Sequence, residues 1–273
     1  MTDIRQLISG AMDSDERGKL TDEEKAASML NIARLSNAQY GELDKQDGYN
    51  CPKCLNKGYR YGVFQNNNYL SMAMLECSCM AKRREYQRGR ASGLPEGYSF
   101  ESFQVNTDWQ REMRDAAKRY LEDKAYKRGA WFFAGGEVGA GKTHLVTALA
   151  REILYERDVK FMSWIREARE MKSAIKDGRS EDYDNALYTM TTVDVLFIDD
   201  FFKGVATEAD KKLAYDILND RYNTKSAVLM TSELTINKLG DIDDSLASRI
   251  YERAGEYRVN ITGGDKNVRY KIA

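Results

Sequence analysis

The segment Gly-Glu-Val-Gly-Ala-Gly-Lys-Thr at positions 136–143 constrains the fold of this 273-residue chain more than any other feature. It fits the pattern G-x-x-x-x-G-K-[ST], in which a glycine-rich loop joins a strand to the start of a helix. The apolar run at 130–134 predicts that strand, and apolar residues at helical spacing over 144–156 predict the helix. The sequence therefore predicts an α/β fold with a phosphate-binding loop at the end of one strand.

The chemistry of this loop defines a set of candidate nucleotide contacts. Glycines allow backbone N–H groups to approach phosphates, and the helix N-terminus adds partial positive charge. Lys142 is expected to reach the β- and γ-phosphates of ATP, and Thr143 is expected to bind Mg²⁺. The predicted nucleotide contacts in this segment are Gly136, Glu137, Val138, Gly139, Ala140, Gly141, Lys142, Thr143 and His144.

Two further apolar runs predict buried strands that end in polar residues. The first is followed by Asp199 and Asp200. We expect Asp199 to hold Mg²⁺ and Asp200 to orient or deprotonate the attacking water. The second run continues into Thr231 and Ser232, either of which is a candidate sensor of the γ-phosphate. Simple capping of the strand end is the alternative interpretation for each hydroxyl.

All four cysteines lie in one stretch and form two pairs, Cys51 with Cys54 and Cys77 with Cys79. The runs at 59–64 and 69–75 between them predict a β-hairpin that returns the second pair to the first. We expect no signal peptide, so the compartment is expected to be reducing and disulfides are disfavoured. Four thiolates match the tetrahedral geometry of a structural zinc site. Four unrelated reduced thiols, or a redox pair, are the alternatives.

The amino-acid composition excludes several classes of protein and of catalytic site. Apolar residues make up 42% of the chain, enough for a buried core, and no run is long enough to predict a membrane span. The single histidine, His144, excludes His-rich metal sites and argues against Ser-His-Asp catalysis. Net charge is −1, but residues 51–100 carry eight basic and three acidic side chains. The basic stretch at 82–90 contacts nucleic-acid phosphates or forms a solvated helix.

The pattern along the chain predicts two domains. Residues 1–90 are expected to form a small helical and zinc-binding domain, with a capping box at 21–24. Residues 91–98, which contain glycine and proline, are the predicted linker. Residues 99–273 alternate between helix and strand, which predicts a mainly parallel sheet flanked by helices. Within that domain, the segment 165–190 is expected to be helical.

In this order, the elements resemble an AAA+ ATPase of the DnaC/DnaI helicase-loader family, of the phage and prophage type. The resemblance rests on the cysteine arrangement and on the segments Gly-Ala-Gly-Lys-Thr-His-Leu (139–145), Phe-Ile-Asp-Asp-Phe (197–201), Ile-Leu-Asn-Asp-Arg-Tyr-Asn (217–223) and Leu-Ala-Ser-Arg-Ile-Tyr-Glu-Arg (246–253). It implies that the second domain is an AAA+ domain and that the cysteine region is a zinc module.

The resemblance also implies roles for arginines. Arg249 matches the family's arginine finger, which completes the nucleotide site of a neighbouring subunit. Arg269 stands where the family would place a sensor-2 arginine, and Arg253 competes for either role. The sensor-1 asparagine position holds Glu233, whose carboxylate cannot donate a hydrogen bond unless it is protonated. Either Thr231 or Ser232 then takes the sensor-1 role, or the end of this strand is tuned differently from that of the family.

Taken as a whole, the resemblance implies an ATP-dependent loader of a DnaB-type replicative helicase onto single-stranded DNA. The expected compartment is the cytoplasm of a bacterial cell or of a phage-infected host. Residues 1–90 are expected to bind the helicase, and the AAA+ domain to bind ATP, Mg²⁺, single-stranded DNA and copies of itself. DNA contact is expected around Lys172, Lys176 and Arg179. A transposase-helper ATPase of the IstB type and a non-hydrolysing, nucleotide-gated adaptor are the alternatives.

Overall fold

The computed structural model describes residues 21–66 and 69–271 of the chain. The chain divides into two compact units, of which the first ends at Gln87 and the second begins at Arg88. The first 20 residues of the predicted N-terminal domain lie outside the described residues. Among the helices that the structure describes, none is both long enough and apolar enough to cross a membrane.

The described part of the N-terminal unit contains helices and one antiparallel hairpin. In chain order these are α1 (Asp22–Ala38), α2 (Leu43–Asp47), β1 (Tyr59–Asn66), β2 (Tyr69–Glu76) and α3 (Cys79–Ser92), which continues into the second unit. The predicted capping box is confirmed, since the Thr21 N–H donates to the Glu24 carboxylate at 2.7 Å and the Glu24 N–H donates to the Thr21 hydroxyl at 3.3 Å. The Asn37 side-chain amide donates to the Tyr61 carbonyl at 2.9 Å and accepts from the Tyr61 N–H at 2.8 Å. These two bonds cover the outer edge of β1.

A five-stranded parallel sheet forms the centre of the C-terminal unit. Its order is β4-β5-β6-β3-β7, and the strands are β3 (Phe132–Gly136), β4 (Val159–Ser163), β5 (Val195–Asp199), β6 (Ala227–Ser232) and β7 (Arg258–Ile261). Successive strand residues alternate between two buried clusters. Phe132 and Ala134 belong to one cluster and Phe133 to the other. The sheet is therefore buried on both faces, as the continuous apolar strands predict.

Helices cover the two faces of this sheet. They are α4 (Asp108–Glu122), α5 (Lys142–Ile153), α6 (Trp164–Lys176), α7 (Ser180–Thr192), α8 (Glu208–Asn223), α9 (Ile236–Ile242) and α10 (Asp244–Ala254), with short 3₁₀ helices at Ala125–Arg128 and Val268–Lys271. The α/β class and the parallel sheet predicted from the sequence are confirmed.

The helical segment predicted over 165–190 is two helices, because α6 ends before Gly178. The Gly178 backbone has a positive φ of 71°, and its N–H donates to the carbonyl of Ile175 at 3.2 Å. The following N–H, of Arg179, donates to the carbonyl of Ala174 at 2.8 Å. These two bonds form a Schellman motif, which ends a helix by satisfying its last carbonyl groups.

The strand order determines which side chains meet. Strand β6 lies between β5 and β3, and all three run in the same direction. Their carboxyl ends therefore lie side by side at one edge of the sheet. That edge carries the glycine-rich loop after β3, the two aspartates at the end of β5, and the polar residues at the end of β6.

Candidate functional site

The glycine-rich loop spans the gap between Gly136, where β3 ends, and Lys142, where α5 begins. At Gly136 the backbone φ is 112°, and a Cβ atom would lie 1.9 Å from the carbonyl oxygen of Ile261. At Gly139 a Cβ would lie 2.0 Å from the Asn267 amide oxygen. A side chain is excluded at Gly136 by the Ile261 backbone, and the positive φ of 72° favours glycine at Gly139, so the loop's path depends on its composition.

Backbone hydrogen bonds fix the loop against the end of the chain's last strand and the segment beyond it. The Glu137 N–H donates to the Ile261 carbonyl at 2.9 Å. The Val268 N–H donates to the Gly139 carbonyl at 3.1 Å. Ile261, the last residue of β7, and Val268 beyond it thus hold the loop in shape. No signal in the sequence predicted these two contacts.

Lys142 is buried beneath this loop. Its ammonium donates to the carbonyl oxygens of Gly136 at 2.8 Å and Glu137 at 2.7 Å. Burial lowers the pKa of Lys142 below its usual value, while the nearby carboxylates of Glu233 and Asp200 act in the opposite direction. An ammonium bonded only to neutral carbonyls in a partly dry site has a strong electrostatic preference for an anion such as a phosphate.

Asp199 joins two strands and a helix through one oxygen. Its Oδ1 accepts from the Thr143 hydroxyl at 2.9 Å and from the Thr231 hydroxyl at 2.6 Å. Burial raises the pKa of Asp199, and the two hydroxyl hydrogen bonds oppose that rise. A carboxylate beside a threonine hydroxyl at the start of a helix is a donor set suited to Mg²⁺, which prefers oxygen ligands. The residues present fit the metal predicted from the sequence.

Both hydroxyls at the end of β6 are already committed to hydrogen bonds. Thr231 Oγ1 donates to Asp199 and accepts from the Asp200 N–H at 2.9 Å. Ser232 is fully buried, and its hydroxyl donates to the Phe201 carbonyl at 2.8 Å and accepts from the Leu234 N–H at 3.1 Å. The alternative of strand-end bonding, left open by the sequence, describes their contacts in this structure.

Asp200 faces a lysine that sequence reasoning missed. The Asp200 carboxylate lies 3.0 Å from the Lys203 ammonium, which also lies 2.8 Å from the Glu233 carboxylate. The bond to Glu233 raises the pKa of Lys203, and Asp200 adds to that rise. The only signal in the sequence was a basic residue four positions after Asp199. Its partner Glu233 cannot be predicted until it is known that β6 lies next to β5.

His144, predicted as a nucleotide contact, is bonded to the segment that precedes α4. Its Nε2 lies 2.9 Å from the Ser102 hydroxyl and 3.1 Å from the Ser99 carbonyl. Its ring packs against Tyr98 and Phe103, with centroids 4.9 and 5.3 Å apart. This histidine therefore anchors residues 98–103 beside the start of α5.

The three arginines considered from the sequence lie in different surroundings. Arg249, on α10, donates to the Ser245 carbonyl at 2.8 Å and to the Asn219 side chain at 3.2 Å. Arg253 bonds the Gly129 carbonyl through its guanidinium, and its own carbonyl accepts from Trp131 at 2.9 Å. Arg269 is exposed in the last 3₁₀ helix. Arg253 is thus engaged in holding the chain before β3.

The four cysteines of the N-terminal unit form a compact buried cluster. All four sulfur atoms lie within 4.8 Å of one another. The Cys51 and Cys77 sulfurs are 3.9 Å apart, and those of Cys54 and Cys79 are 3.6 Å apart. Sulfurs on a tetrahedral zinc ion, with Zn–S bonds of about 2.3 Å, lie about 3.8 Å apart. The cluster therefore has the dimensions of a four-thiolate metal site.

A buried ion pair supports this cluster. Arg83, one helical turn after Cys79, is 2% exposed and pairs with the Asp47 carboxylate, which is 3% exposed. Its guanidinium also donates to the Tyr49 carbonyl at 2.7 Å and to the Asn56 amide oxygen at 3.3 Å. Because that oxygen also accepts from the Cys51 N–H at 2.7 Å, Arg83 links α3 to the first cysteine loop.

The loop after β3, the carboxylate at the end of β5 and the β4-β5-β6-β3-β7 sheet define a P-loop ATPase domain of the AAA+ type. Residues 94–254 match the sequence model of the family described as the bacterial DnaA ATPase domain. The chain belongs to that family.

Two relatives show how far the similarity extends. The phage-like element PBSX protein XkdC of Bacillus subtilis (strain 168) is 30% identical over 242 residues, which cover 82% of this chain and 86% of that protein. The replicative helicase loader DnaC of Buchnera aphidicola subsp. Schizaphis graminum is 27% identical over 166 residues, which cover 59% of this chain and 66% of that protein.

Solved structures agree with the fold. The AMPPCP-bound DnaA from Aquifex aeolicus superposes with a TM-score of 0.53 at 26% identity, over 66% of this chain and 54% of that one. The chain thus spans about half the length of that DnaA. A crystal structure of DnaI superposes with a TM-score of 0.51 at 22% identity, over 60% of this chain and 91% of that one. The DnaI comparison supports the fold alone.

Proposed function

We propose that this chain is an ATP-dependent loader of a DnaB-type replicative helicase onto single-stranded DNA. The observation that carries the proposal is the shared Asp199 oxygen, to which Thr143 and Thr231 both donate beside the buried Lys142. This arrangement supports a nucleotide site, and the chain is related to a protein named as a replicative helicase loader. A structure of a relative, DnaA, is described as bound to AMPPCP, an ATP analogue.

In this proposal the residues at the sheet edge divide the work of ATP hydrolysis. Lys142 exchanges its two carbonyl partners for phosphate oxygens, which offer a stronger, charge-assisted hydrogen bond. Thr143 and Asp199 hold Mg²⁺, which neutralises charge on the phosphates when it is bound. Asp200 orients the attacking water and accepts its proton. The N–H groups of the loop and of the first turn of α5 bind the β-phosphate.

Arg249 is the proposed arginine finger, and it acts on the site of a second copy of the chain. Its guanidinium lies 5.3 Å from the centroid of the Tyr215 ring and 5.5 Å from that of Tyr222. These rings and Asn219 hold it in place at the surface of α10, which is the preorganisation that such a contact requires. Self-association through the AAA+ domain would then be needed for full hydrolysis.

The N-terminal unit is the proposed helicase-binding part. Its hairpin exposes Met72 and Met74 on one face and Phe64 and Leu75 on the other, and the methionine face, on which Met74 is 61% exposed, is the proposed contact. Methionine side chains adapt to partner surfaces, and exposed apolar patches mark interaction sites. We propose that the four cysteines bind a structural zinc ion, which holds both ends of this hairpin in place.

DNA contact is a further part of the proposal. Of the three cations considered, Lys172 pairs with Asp210, and Arg179 pairs with Asp182 at 2.8 Å, so a phosphate has to compete with these carboxylates. Lys176 is exposed at the end of α6 and is the first to test. Lys176→Ala should weaken binding of a labelled oligonucleotide, measured by fluorescence anisotropy, while Lys212→Ala on α8 should not. Unchanged affinity would remove this contact from the proposal.

Native mass spectrometry tests the loader proposal directly. The full chain is mixed with the replicative helicase of its host, ATP and Mg²⁺, and we expect a helicase hexamer that carries several copies. Met74→Asp should abolish that complex, because it places a charge on the face of the hairpin that carries the two methionines, whereas Ser71→Asp on the opposite face of the same strand is the matched control. A wild-type chain that forms no complex under any nucleotide condition would support the transposase helper instead, and a transposase on DNA is then the partner to test.

One observation favours the non-hydrolysing adaptor as a second candidate. The Asp200 carboxylate is paired with Lys203, so its availability to a water molecule depends on where that lysine goes when nucleotide binds. A measurable rate of phosphate release that is lost in Asp200→Asn identifies an enzyme. No release above background, in the presence of helicase and DNA, identifies an adaptor.

A further inference from the structure

The end of β6 offers no free side-chain donor to a phosphate within Thr231, Ser232 and Glu233. The two hydroxyl protons are used inside the protein, by Asp199 and by the Phe201 carbonyl. Glu233 is an acceptor when it is ionised. A nucleotide site that stabilises a terminal phosphate at this edge of the sheet therefore needs its donor from another residue.

Lys203 is held at this position by a rigid turn. The backbone of Asp200 and Phe202 takes positive φ values of 56° and 54°, and the Lys203 N–H donates to the Asp200 carbonyl at 3.0 Å. Phe201 and Phe202 are buried and stack with their centroids 4.2 Å apart, and both rings pack against Trp164. The turn therefore places the base of the Lys203 side chain with little freedom.

The ammonium of Lys203 keeps one donor available. An ammonium carries three N–H donors. One is directed to Asp200 at 3.0 Å and another to Glu233 at 2.8 Å. The side chain is 38% exposed, so a ligand can reach the third.

Lys203 shares the electrostatic environment of the phosphate-binding loop. The charges that act on Lys142 include those of Glu233, Asp200 and Lys203. Glu233 and Asp200, the two carboxylates that pair with Lys203, also act on the charge of Lys142. The two cations therefore share the same pair of carboxylates at this edge of the sheet.

We infer that Lys203 is a second phosphate-binding cation of the site, held by Glu233 so that it contacts the terminal phosphate of bound ATP. The pair of Lys203 and Glu233 then replaces the uncharged donor that is absent from the end of β6. This inference rests on the proposed ATP site, and it explains why an acidic residue stands at the end of that strand.

Nucleotide binding tests the inference without requiring hydrolysis. Fluorescent mant-ATP and mant-ADP are titrated with Mg²⁺ into the full-length chain and into Lys203→Met. Because ADP lacks the terminal phosphate, we expect Lys203→Met to weaken mant-ATP binding about 10-fold, the value of one charge-assisted hydrogen bond, and to change mant-ADP binding less than about 2-fold. Lys203→Arg should keep most of the ATP preference, and Lys212→Met should match wild type.

Two double variants separate a contact from a simple charge effect. Lys203→Met with Glu233→Met has the same net charge as wild type but no donor, so its ATP preference should stay low. Lys203→Met with Glu233→Asn has that same charge and gains an amide donor, so part of the preference should return. Circular dichroism on each variant establishes that it is folded.

The outcomes are distinct. An unchanged ratio of ATP to ADP affinity in Lys203→Met, or a wild-type ratio in Lys203→Met with Glu233→Met, overturns the inference and leaves the proposed ATP site intact. Tighter ATP binding in Lys203→Met would make the lysine an inhibitory lock on Asp200, which also overturns it. A wild-type chain that binds neither nucleotide overturns the proposed function together with the inference.

Discussion

The Thr231 hydroxyl donates to Asp199 Oδ1 at 2.6 Å and joins the ends of two adjacent parallel strands. The same hydroxyl accepts from the Asp200 N–H at 2.9 Å. The Thr231 hydroxyl therefore sets the orientation of the two aspartates of the site, and this role does not depend on which ligand they bind.

Thr231→Val should destabilise the protein and weaken Mg²⁺-dependent ATP binding. Valine has the same shape, but it leaves the partly buried Asp200 N–H without this acceptor, which costs up to about 1–3 kcal/mol. Thermal unfolding and a mant-ATP titration with and without Mg²⁺ measure the two effects. Thr189→Val is the control, since that exposed hydroxyl bonds only its own helix at the Asn185 carbonyl. Equal losses in both variants would show that Thr231 has no special position.

Asp199→Asn should raise the melting temperature of the nucleotide-free chain at neutral pH while it abolishes Mg²⁺-dependent ATP binding. Burial raises the folded-state pKa of Asp199 above its unfolded value. An acid with a raised folded pKa disfavours folding increasingly as pH rises through the interval between the two values, and asparagine removes that effect. The stability difference between the variants should therefore shrink towards acidic pH, below the unfolded pKa. A wild-type chain more stable than Asp199→Asn at neutral pH contradicts this.

Lys142→Met should reduce the affinity for both ATP and ADP by about 100-fold. Two charge-assisted hydrogen bonds to phosphate are lost, each contributing about 1.5 kcal/mol. Equilibrium titration with mant nucleotides gives the affinities, and Lys212→Met on the exposed face of α8 is the control. Retained affinity for both nucleotides would overturn the site assignment.

Arg249→Ala should leave ATP affinity unchanged and reduce assembly-stimulated hydrolysis by about 10³-fold, the scale of an arginine finger. If the finger acts between copies, mixing Arg249→Ala with Lys142→Met should restore hydrolysis. The first variant supplies an intact nucleotide site and the second supplies an intact Arg249. Phosphate release, measured against the mixing ratio, should peak at an intermediate ratio. A mixture no more active than its components would assign Arg249 to its own subunit.

Arg83→Met should lower the zinc content and the thermal stability of the N-terminal unit. It leaves the buried Asp47 carboxylate without its partner and removes the bond to Asn56, which orients the Cys51 loop. Zinc per chain is measured by elemental analysis, before and after competition with a chromophoric chelator. Arg84→Met is the matched control, because its ion pair with Glu76 is half exposed and contributes little. Chelator resistance equal to wild type in Arg83→Met would assign the pair no role at the metal site.

The elements predicted best were those in which local pattern and chemistry coincide. The loop at 136–143 needs glycines, a lysine and a threonine at fixed spacing, and the hairpin between the cysteine pairs consists of two strand-forming runs separated by a short polar segment. The break at Gly178 carried a signal, a glycine inside a helical pattern, but apolar residues on both sides favoured one long helix.

The missed residues depend on strand order, which no local pattern contains. Lys203 and Glu233 are 30 positions apart, and they meet only because β6 lies next to β5. The same order decides that the Thr231 hydroxyl bonds Asp199 rather than facing solvent. Arg253 was a candidate for a nucleotide contact only through the family resemblance, whereas its backbone partner, Gly129, comes from a turn more than 100 residues earlier.

The position of β6 in the sheet has a consequence for the order of events during synthesis. Strand β6 is the last but one of the strands in the described residues, yet it lies at the centre of the sheet and joins the β4-β5 pair to β3. Until the ribosome has made residue 232, the β4-β5 pair and the single strand β3 both have an edge that lacks this neighbour. Such edges pair readily with other chains, so a nascent chain of this protein is most exposed to aggregation late in translation. The nucleotide site is completed later still, because Ile261 and Val268, which bond the glycine-rich loop, come after residue 232 in the chain.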